Sequence, residues 1–218
     1  MVESEHNRIN GEKWDKWAKI ADGKGAMFDY LRKAQSSLIS IIDIPVNPVF
    51  LDIGCGTGWA VGQMAKAAGN VGMFYGVDMS QGMIDRAQKN FYGYDNFHFI
   101  RANAESIPLD DNSFNIIICT NSFHHYLNPD KAMQEIYRLL IPGGKIYILD
   151  PTADSLLIKF IDKIIRIFEP QHVKLYSTEE FKKLMVNSGL KYSGSKEIAP
   201  REKVHIGEKQ AEVQKCIS

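Results

Sequence analysis

A short apolar segment that runs into a glycine-rich turn constrains the fold of this chain more than any other feature. Residues 49–58 read Val-Phe-Leu-Asp-Ile-Gly-Cys-Gly-Thr-Gly, an apolar run broken only by Asp52 and followed by alternating glycines. Such a run is typical of a central parallel strand that is covered on both faces. Gly54, Gly56 and Gly58 allow the backbone to turn sharply and to approach a ligand before the next helix begins.

A second acid follows the next apolar run along the chain. Residues 73–77 read Met-Phe-Tyr-Gly-Val and end at Asp78, twenty residues after Gly58. A carboxylate at this place can accept both hydroxyls of a ribose. Asp52 would repel a pyrophosphate, but it can hold the ammonium of a bound amino acid. A ribose and an amino acid without phosphate indicate S-adenosylmethionine, and they disfavour a dinucleotide-dependent oxidoreductase.

Taken in order, these motifs resemble those of the class I S-adenosylmethionine-dependent methyltransferases. The first motif of that family is similar to residues 51–58, and its Leu-x-Pro-Gly-Gly turn is similar to residues 140–144. The resemblance covers residues 49–150 and implies an enzyme that binds S-adenosylmethionine and releases S-adenosylhomocysteine. It implies a cofactor site formed by Asp52, Gly54, Cys55, Gly56, Gly58, Asp78, Met79, Asn103, Ala104, Glu105 and Asn121.

The adenine end of that site follows from the resemblance by position. In the family, a polar residue just after the third strand recognises adenine, and here that place falls on Asn103, Ala104 and Glu105. An acceptor there can take the exocyclic amine, and Met79 can cover the face of the ring. The alternative for Glu105 is a solvated loop acid or a helix cap.

The acceptor end is expected at residues 120–126, which read Thr-Asn-Ser-Phe-His-His-Tyr. An Asp/Asn-Pro-Pro-Tyr/Phe signature is absent from this place, which argues against DNA adenine and glutamine-type substrates. The segment instead resembles the small-molecule branch of the family, including ubiquinone- and menaquinone-type methyltransferases. His124 or His125 can remove a proton from a phenol or an enolisable carbon, because histidine titrates near neutrality. The alternative is that these histidines pack or bond to the backbone.

Composition narrows the classes of partner. Lysine plus arginine equals aspartate plus glutamate at 26 each, so no overall basic field would attract nucleic acid. The three cysteines are odd in number and far apart, which predicts reduced thiols and a cytoplasmic location. Zinc-ligand spacing, a secretory leader and a run of bilayer-spanning length are not found, so neither a metal site nor a membrane span is expected.

The remaining apolar runs complete an α/β pattern. Runs at 97–100, 114–119 and 145–150 alternate with helical patterns, and residues 190–198 and 203–206 can form a terminal pair of strands. We therefore expect a doubly wound, Rossmann-like sheet. It should have seven strands, mostly parallel, with an antiparallel terminal pair and an added helical lid.

The expected organisation is a single methyltransferase domain over residues 1–218. Its parts are an N-terminal helical arm at 1–42, a cofactor-binding core at 43–150, a lid helix at 151–176, and a C-terminal helix and strand pair at 177–218.

Two helical segments lie outside the core pattern. Residues 11–42 are predicted to be helical in two pieces, and the second piece is expected to pack on the sheet edge. Trp14 and Trp17 either pack in the same way or fold over the ligand, as an aromatic N-terminal arm often does in the family.

Residues 156–168 form an amphipathic helix with polar positions 159, 162, 163 and 166. Its apolar arc comprises Leu156, Leu157, Phe160, Ile161, Ile164, Ile165 and Phe168. One interpretation is a lid over an apolar acceptor pocket, which the small net charge of the polar face favours. The other is a basic amphipathic helix that lies on a membrane surface.

The sequence therefore predicts a cytoplasmic methyltransferase that acts on a small, partly apolar molecule. Two alternatives stay open: a catalytically silent S-adenosylmethionine-binding partner protein, and a methyltransferase that modifies protein or RNA.

Overall fold

The computed structural model describes residues 2–20, 25–168 and 172–211. The strands are β1 Val49–Ile53, β2 Met73–Asp78, β3 Phe97–Arg101, β4 Phe114–Thr120, β5 Leu140–Pro151, β6 Lys191–Ala199 and β7 Glu202–Glu208. The helices are α1 Val2–Ala18, α2 Ala26–Ile39, α3 Trp59–Ala67, α4 Gln81–Asn90, α5 Pro129–Leu139, α6 Leu156–Phe168 and α7 Thr178–Asn187.

The strands form one seven-stranded sheet in the order β3-β2-β1-β4-β5-β7-β6. Pairing is parallel from β3 through β5, whereas β7 is antiparallel to both β5 and β6. This confirms the predicted doubly wound sheet with an antiparallel terminal pair. The strand order reverses between β1 and β4, and ligands of open parallel sheets bind at such a reversal, outside the carboxyl ends of the strands.

The apolar runs are explained by burial on both faces of the sheet. Leu51 and Ile53 belong to a core cluster that includes residues of α5 and α7. Phe50 belongs to a second cluster on the other face, with residues of α2, α3 and α4. Because successive side chains of a strand point to opposite faces, a strand between two helical layers must be apolar at nearly every position.

The side chains before α4 and α7 cap those helices, whereas the side chain before α5 does not cap its helix. The Ser80 side chain accepts a hydrogen bond of 3.1 Å from the Met83 amide at the start of α4. Ser177 and Glu180 form a reciprocal capping box at the start of α7. Asn128 precedes α5 but makes no side-chain cap; its Nδ2 instead donates to Glu105 Oε2 at 2.8 Å.

Two element boundaries differ from the sequence prediction. β5 begins at Leu140 rather than at residue 145, because the Leu-x-Pro-Gly-Gly turn at residues 140–144 pairs with the chain beyond β7. The Gly143 amide donates to the Lys209 carbonyl at 2.6 Å, and the Lys209 amide donates to the Gly144 carbonyl at 3.0 Å. α1 begins at Val2 rather than at residue 11. Its first turns lack the apolar periodicity on which the prediction depended.

α6 is a helix over the predicted residues, but its apolar arc faces outward. Phe160 is 62% exposed and Phe168 is 78% exposed, whereas Asp162 is buried. Within the part of the chain that the structure describes, none of the helices is both long and apolar enough to cross a bilayer.

Candidate functional site

A cavity of about 310 Å³ opens at the carboxyl ends of β1, β2 and β4, where the strand order reverses. Of the thirteen residues predicted for the site, ten line this cavity. They are Gly54, Cys55, Gly56, Asp78, Met79, Asn103, Ala104, Glu105, Asn121 and His125. The other three, Asp52, Gly58 and His124, are not among its lining residues.

The glycine turn is tied to β2 by its backbone. The amides of Gly54 and Cys55 both donate to the Val77 carbonyl, at 2.8 and 3.0 Å. Burial raises the pKa of the Cys55 thiol well above its usual value, so the thiol stays protonated. At Gly56, with φ +53°, a Cβ atom would meet nothing nearer than Met83 Sδ at 4.0 Å. The bare backbone of Gly56 therefore leaves space for a ligand.

The lack of a side chain at Gly58 serves packing rather than ligand access. A Cβ atom at Gly58, where φ is +82°, would lie 2.9 Å from the ring of Phe99. This glycine therefore permits the start of α3 to pack against β3. Its assignment to the ligand surface is not supported by its position.

Asp78 is held with its carboxylate at the cavity. Its Oδ2 accepts the Gly56 amide at 3.0 Å and its Oδ1 accepts the Ser80 amide at 2.9 Å. Burial raises its pKa, although these backbone hydrogen bonds act in the opposite direction. Each carboxylate oxygen can accept more than one hydrogen bond, so both keep capacity for a hydroxyl.

Asp52 does not meet the expectation of a ligand contact. Side chains alternate along β1, which places Asp52 on the face of Phe50 rather than in the cavity wall. Among the described residues its Oδ1 has no hydrogen-bond partner. Burial and then the charge of Asp78 raise the pKa of Asp52 to about 8, so this carboxyl is mostly protonated at neutral pH.

Asn121, like Asp52, has a buried oxygen without a hydrogen-bond partner among the described residues, but Asn121 also lines the cavity. Its backbone is left-handed, with φ +50°, and its Nδ2 donates to both carboxylate oxygens of Glu202 at 3.2 and 3.1 Å. Its Oδ1 is buried and has no partner among the described residues. An acceptor without a partner on a residue of the cavity lining is a candidate to bind the donor group of a ligand, such as an ammonium.

The predicted adenine segment lines the cavity, but its polar side chains are partly committed to the protein. The Asn103 Oδ1 accepts the Glu105 amide at 3.0 Å. The Glu105 carboxylate accepts the amide of Asn128 at 2.9 Å and its Nδ2 at 2.8 Å. Glu105 therefore also holds the loop after β3 to the start of α5.

The two predicted histidines have different surroundings. His125 lines the cavity, and its ring meets Trp14 edge-on with centroids 5.3 Å apart. His124 lies outside the lining, with its Nδ1 2.8 Å from Asp150 Oδ1 and its amide donating to Asp150 Oδ2 at 3.0 Å. Of the two, His125 is the one placed to exchange a proton with a ligand.

Tyr126 lines the cavity, as does its neighbour His125. Its hydroxyl lies 3.0 Å from Ser122 Oγ and 3.3 Å from Cys119 Sγ, and it donates to the Ile53 carbonyl at 3.4 Å. Burial raises its pKa well above the usual value, so the hydroxyl keeps its proton.

The N-terminal arm, α1 and α2, covers the cavity in place of α6. No residue of α6, the predicted lid, is among the residues that line the cavity. The arm contributes Trp14, Trp17, Met27, Phe28, Leu31, Arg32 and Gln35. Trp14 and Trp17 therefore lie where the second of their two predicted roles requires them, in the lining of the cavity.

Sequence reasoning missed the residues that anchor the arm. The Asp15 carboxylate accepts the Ser80 hydroxyl at 2.5 Å and the Gly82 amide at 2.9 Å, at the start of α4. Gln35 Nε2 donates to Thr120 Oγ1 at 2.8 Å. An acid between two tryptophans was an available signal, but nothing local indicates its partner at a sequence separation of 65.

Comparison with known proteins supports this geometry. Residues 51–148 match the family described as methyltransferase domain. The chain is 26% identical to a demethylmenaquinone methyltransferase of Bacillus licheniformis, over 91% of this chain and 88% of that protein. It is 35% identical to the ubiquinone/menaquinone biosynthesis C-methyltransferase UbiE of Blochmanniella floridana, over 50% of this chain and 46% of that protein.

A solved structure agrees with the sequence comparison. The uncharacterized methyltransferase YcgJ of Bacillus subtilis is 32% identical over 65% of this chain and 56% of its own length. Its crystal structure superposes with a TM-score of 0.68, covering 75% of this chain and 70% of that one. The chain thus spans about half the length of the UbiE and YcgJ relatives. Over residues 51–148 the chain therefore matches a methyltransferase domain, and its fold resembles that of a solved methyltransferase.

Proposed function

We propose that the protein binds S-adenosylmethionine in this cavity and transfers its methyl group to a small, partly apolar molecule. One observation carries the proposal: the lining of a single cavity combines a polar set, Gly56, Asp78 and Asn121, with an aromatic set, Trp14 and Phe28, which we call its polar and aromatic ends. Its volume of about 310 Å³ lies within the range of small-molecule sites, about 300–1,000 Å³. The names of two relatives, which are quinone-type methyltransferases, support an acceptor with an apolar ring.

The polar end fits the nucleoside and amino-acid parts of the cofactor. Asp78 can accept the ribose hydroxyls, Gly56 permits close backbone approach, and Asn121 Oδ1 can accept the ammonium. S-adenosylmethionine supplies a methyl group on a positively charged sulfur. The residues around it have to align the acceptor with that methyl and to exclude water.

The aromatic end of the cavity excludes water from the acceptor. Trp14 and Trp17 have ring centroids 6.1 Å apart, and Trp17 lies 6.1 Å from Phe28, so a continuous aromatic wall faces the acceptor. His125 stands at this wall and can take a proton from a phenol or an enol as the methyl group is accepted. Tyr126 stays protonated and can orient the acceptor rather than act as a base.

We further propose that residues 1–218 work as one methyltransferase domain in which the arm closes the site. A cytoplasmic location is consistent with Cys55 and Cys119, which are buried free thiols.

Titration calorimetry with S-adenosylmethionine and S-adenosylhomocysteine tests the binding step. We expect both to bind the wild-type protein and Asp78→Ala to weaken both at least tenfold, because a ribose contact is lost. Asp85→Ala, on α4 outside the cavity lining, is the matched control and should bind like the wild type. Absence of binding by the wild-type protein would falsify the proposal.

Transfer of a labelled methyl group from the cofactor to a cell extract tests the acceptor class. We expect label in the organic-soluble small-molecule fraction. Label confined to protein or RNA would instead identify a macromolecular methyltransferase. Cofactor binding without any transfer would indicate the silent partner protein.

A further inference from the structure

We propose that α6 docks the protein onto the surface of an anionic lipid bilayer. The first observation is an exposed apolar arc on this helix. Five residues of the predicted arc and Ile167 form it, and they are 41–86% exposed: Leu156, Leu157, Phe160, Ile164, Ile167 and Phe168. At about 3.6 residues per turn they fall within about 120° of the helix circumference, so they form one continuous surface. Apolar surface of this kind on a folded protein marks an interaction site.

The outward direction of the arc is fixed by the opposite face of the helix. Asp162 is 3% exposed, and its carboxylate accepts the Leu175 amide at 2.8 Å. Asp162 Oδ1 also lies 2.7 Å from His172 Nε2. The buried carboxylate holds α6 against the segment that leads to α7, so turning the helix to hide its apolar arc would break these contacts. The arc is therefore presented to an external partner.

The charges of α6 favour an anionic membrane over a protein surface. Asp162 is the only acid of the helix and is buried, whereas Lys159 and Lys163 are exposed. On the helical projection both lysines border the apolar arc, where their stems can follow the apolar surface while their ammonium groups reach lipid phosphates. Anionic lipids attract such a border. A second copy of this chain would bring another pair of lysines to the same surface.

The position of α6 also suits an enzyme whose acceptor dissolves in lipid. His172, which Asp162 holds, has its ring centroid 5.4 Å from that of His124 and 6.4 Å from that of His125. His172, which α6 holds through Asp162, thus lies beside His125, a residue of the cavity lining. This link rests on the proposed function, whereas docking itself does not.

Flotation of the full chain with vesicles tests the docking. Vesicles of phosphatidylcholine are compared with vesicles of phosphatidylcholine mixed with phosphatidylglycerol, at low and high salt. We expect preferential binding to the mixed vesicles. Phe160→Ser combined with Ile164→Ser should lower the partition coefficient at least tenfold, because each such side chain contributes roughly that factor when buried in lipid. Val46→Ser combined with Tyr92→Ser, at exposed positions elsewhere, is the matched control and should bind normally.

Charge reversal separates the lysines from the apolar arc. Lys159→Glu with Lys163→Glu should remove most of the salt-sensitive binding, whereas Lys182→Glu with Lys183→Glu on α7 should have a much smaller effect. Equal flotation of the wild-type and α6 variants, or no flotation with anionic vesicles, would overturn the proposal.

Two further measurements distinguish this inference from its competitors. Light scattering without lipid that showed a dimer broken by Phe160→Ser and Ile164→Ser would assign the arc to a second copy and reject the membrane. Calorimetry with S-adenosylmethionine should give the same affinity for the α6 variants as for the wild type. If the wild-type protein binds the cofactor but not the vesicles, docking alone is rejected. If the wild-type protein does not bind the cofactor, the proposed function is rejected.

Discussion

The glycines of the turn after β1 have different neighbours although they alternate regularly in the sequence. A Cβ atom at Gly54 would lie 2.1 Å from Ser122 Oγ, and one at Gly58 would lie 2.9 Å from Phe99. At Gly56 the corresponding space is open toward the cavity. Two of these glycines are thus required by packing between elements, and the third leaves open space at the cavity.

This difference predicts opposite outcomes for two matched substitutions. Gly58→Ala should lower the free energy of unfolding by about 2–4 kcal/mol, since a methyl group overlaps an aromatic ring at a left-handed backbone position. Gly56→Ala should cost about 1 kcal/mol for its backbone conformation but weaken S-adenosylmethionine binding at least tenfold. Urea unfolding and calorimetry on both variants measure the two effects. Similar losses of stability would contradict the distinction.

A buried histidine away from the site should control stability in acid. His205 is fully buried, and its ring stacks on Phe181 with centroids 4.3 Å apart. Burial lowers the pKa of His205 to about 4, although the charge of Asp154 opposes this shift. His205 therefore takes up a proton near pH 6.5 in the unfolded chain but only near pH 4 in the folded chain. The free energy of unfolding consequently decreases as pH falls from 6.5 toward 4.

At about pH 5 this loss should be about 2 kcal/mol relative to pH 8. Replacing the ring with a side chain that does not titrate, His205→Leu, should remove that part of the acid sensitivity, even though the variant is less stable at pH 8. Urea unfolding at several pH values measures the difference between the two curves. Parallel curves would show that His205 is not the group responsible.

At the scale of elements, the sequence predicted what local chemistry determines. The β1 strand, the Ser80 cap and the Ser177 capping box depend on residues close in the chain, and each is present. The sequence did not predict which helix covers which surface of the sheet or the cavity. Periodicity shows that α2 and α6 have apolar faces, but Met27 lines the cavity and Phe160 faces outward for reasons set by distant contacts. Asp52 lies outside the cavity lining, and a strand pattern alone does not specify which face of β1 lies toward the cavity.

One such distant contact predicts a large effect on stability. Arg138 on α5 donates to the Ile107 and Leu109 carbonyls at 2.9 and 2.7 Å, and it pairs with Glu135 at 2.8 Å. Arg138→Met should lower the free energy of unfolding by about 2–4 kcal/mol, since two carbonyls and a carboxylate lose their donor. Lys131→Met, at an exposed position of α5, should change it by no more than about 0.5 kcal/mol. Thermal and urea unfolding of both variants test the contrast.

At the scale of the whole molecule, the two ends of the cavity come from different parts of the chain. The family match covers residues 51–148, which supply the glycine turn and Asp78. The aromatic wall comes from α1 and α2, before that region. If the proposed function is correct, cofactor binding falls to the part matched by the family model, and selection of the acceptor falls largely to the arm. This explains why sequence resemblance identified the cofactor and left the acceptor open.

We therefore expect a single substitution to detach α1 of the arm from the core. Asp15 joins α1 to the start of α4 through Ser80 and Gly82, so Asp15→Ala should release α1 while the sheet stays folded. We expect faster amide hydrogen exchange in α1, a small change in the unfolding midpoint, and methyl transfer reduced at least tenfold. Asp29→Ala, an exposed acid on α2, controls for the loss of charge and should retain full activity. Unchanged methyl transfer with rapid exchange in α1 would show that catalysis does not need the closed arm, whereas slow exchange would show that Asp15 does not anchor it.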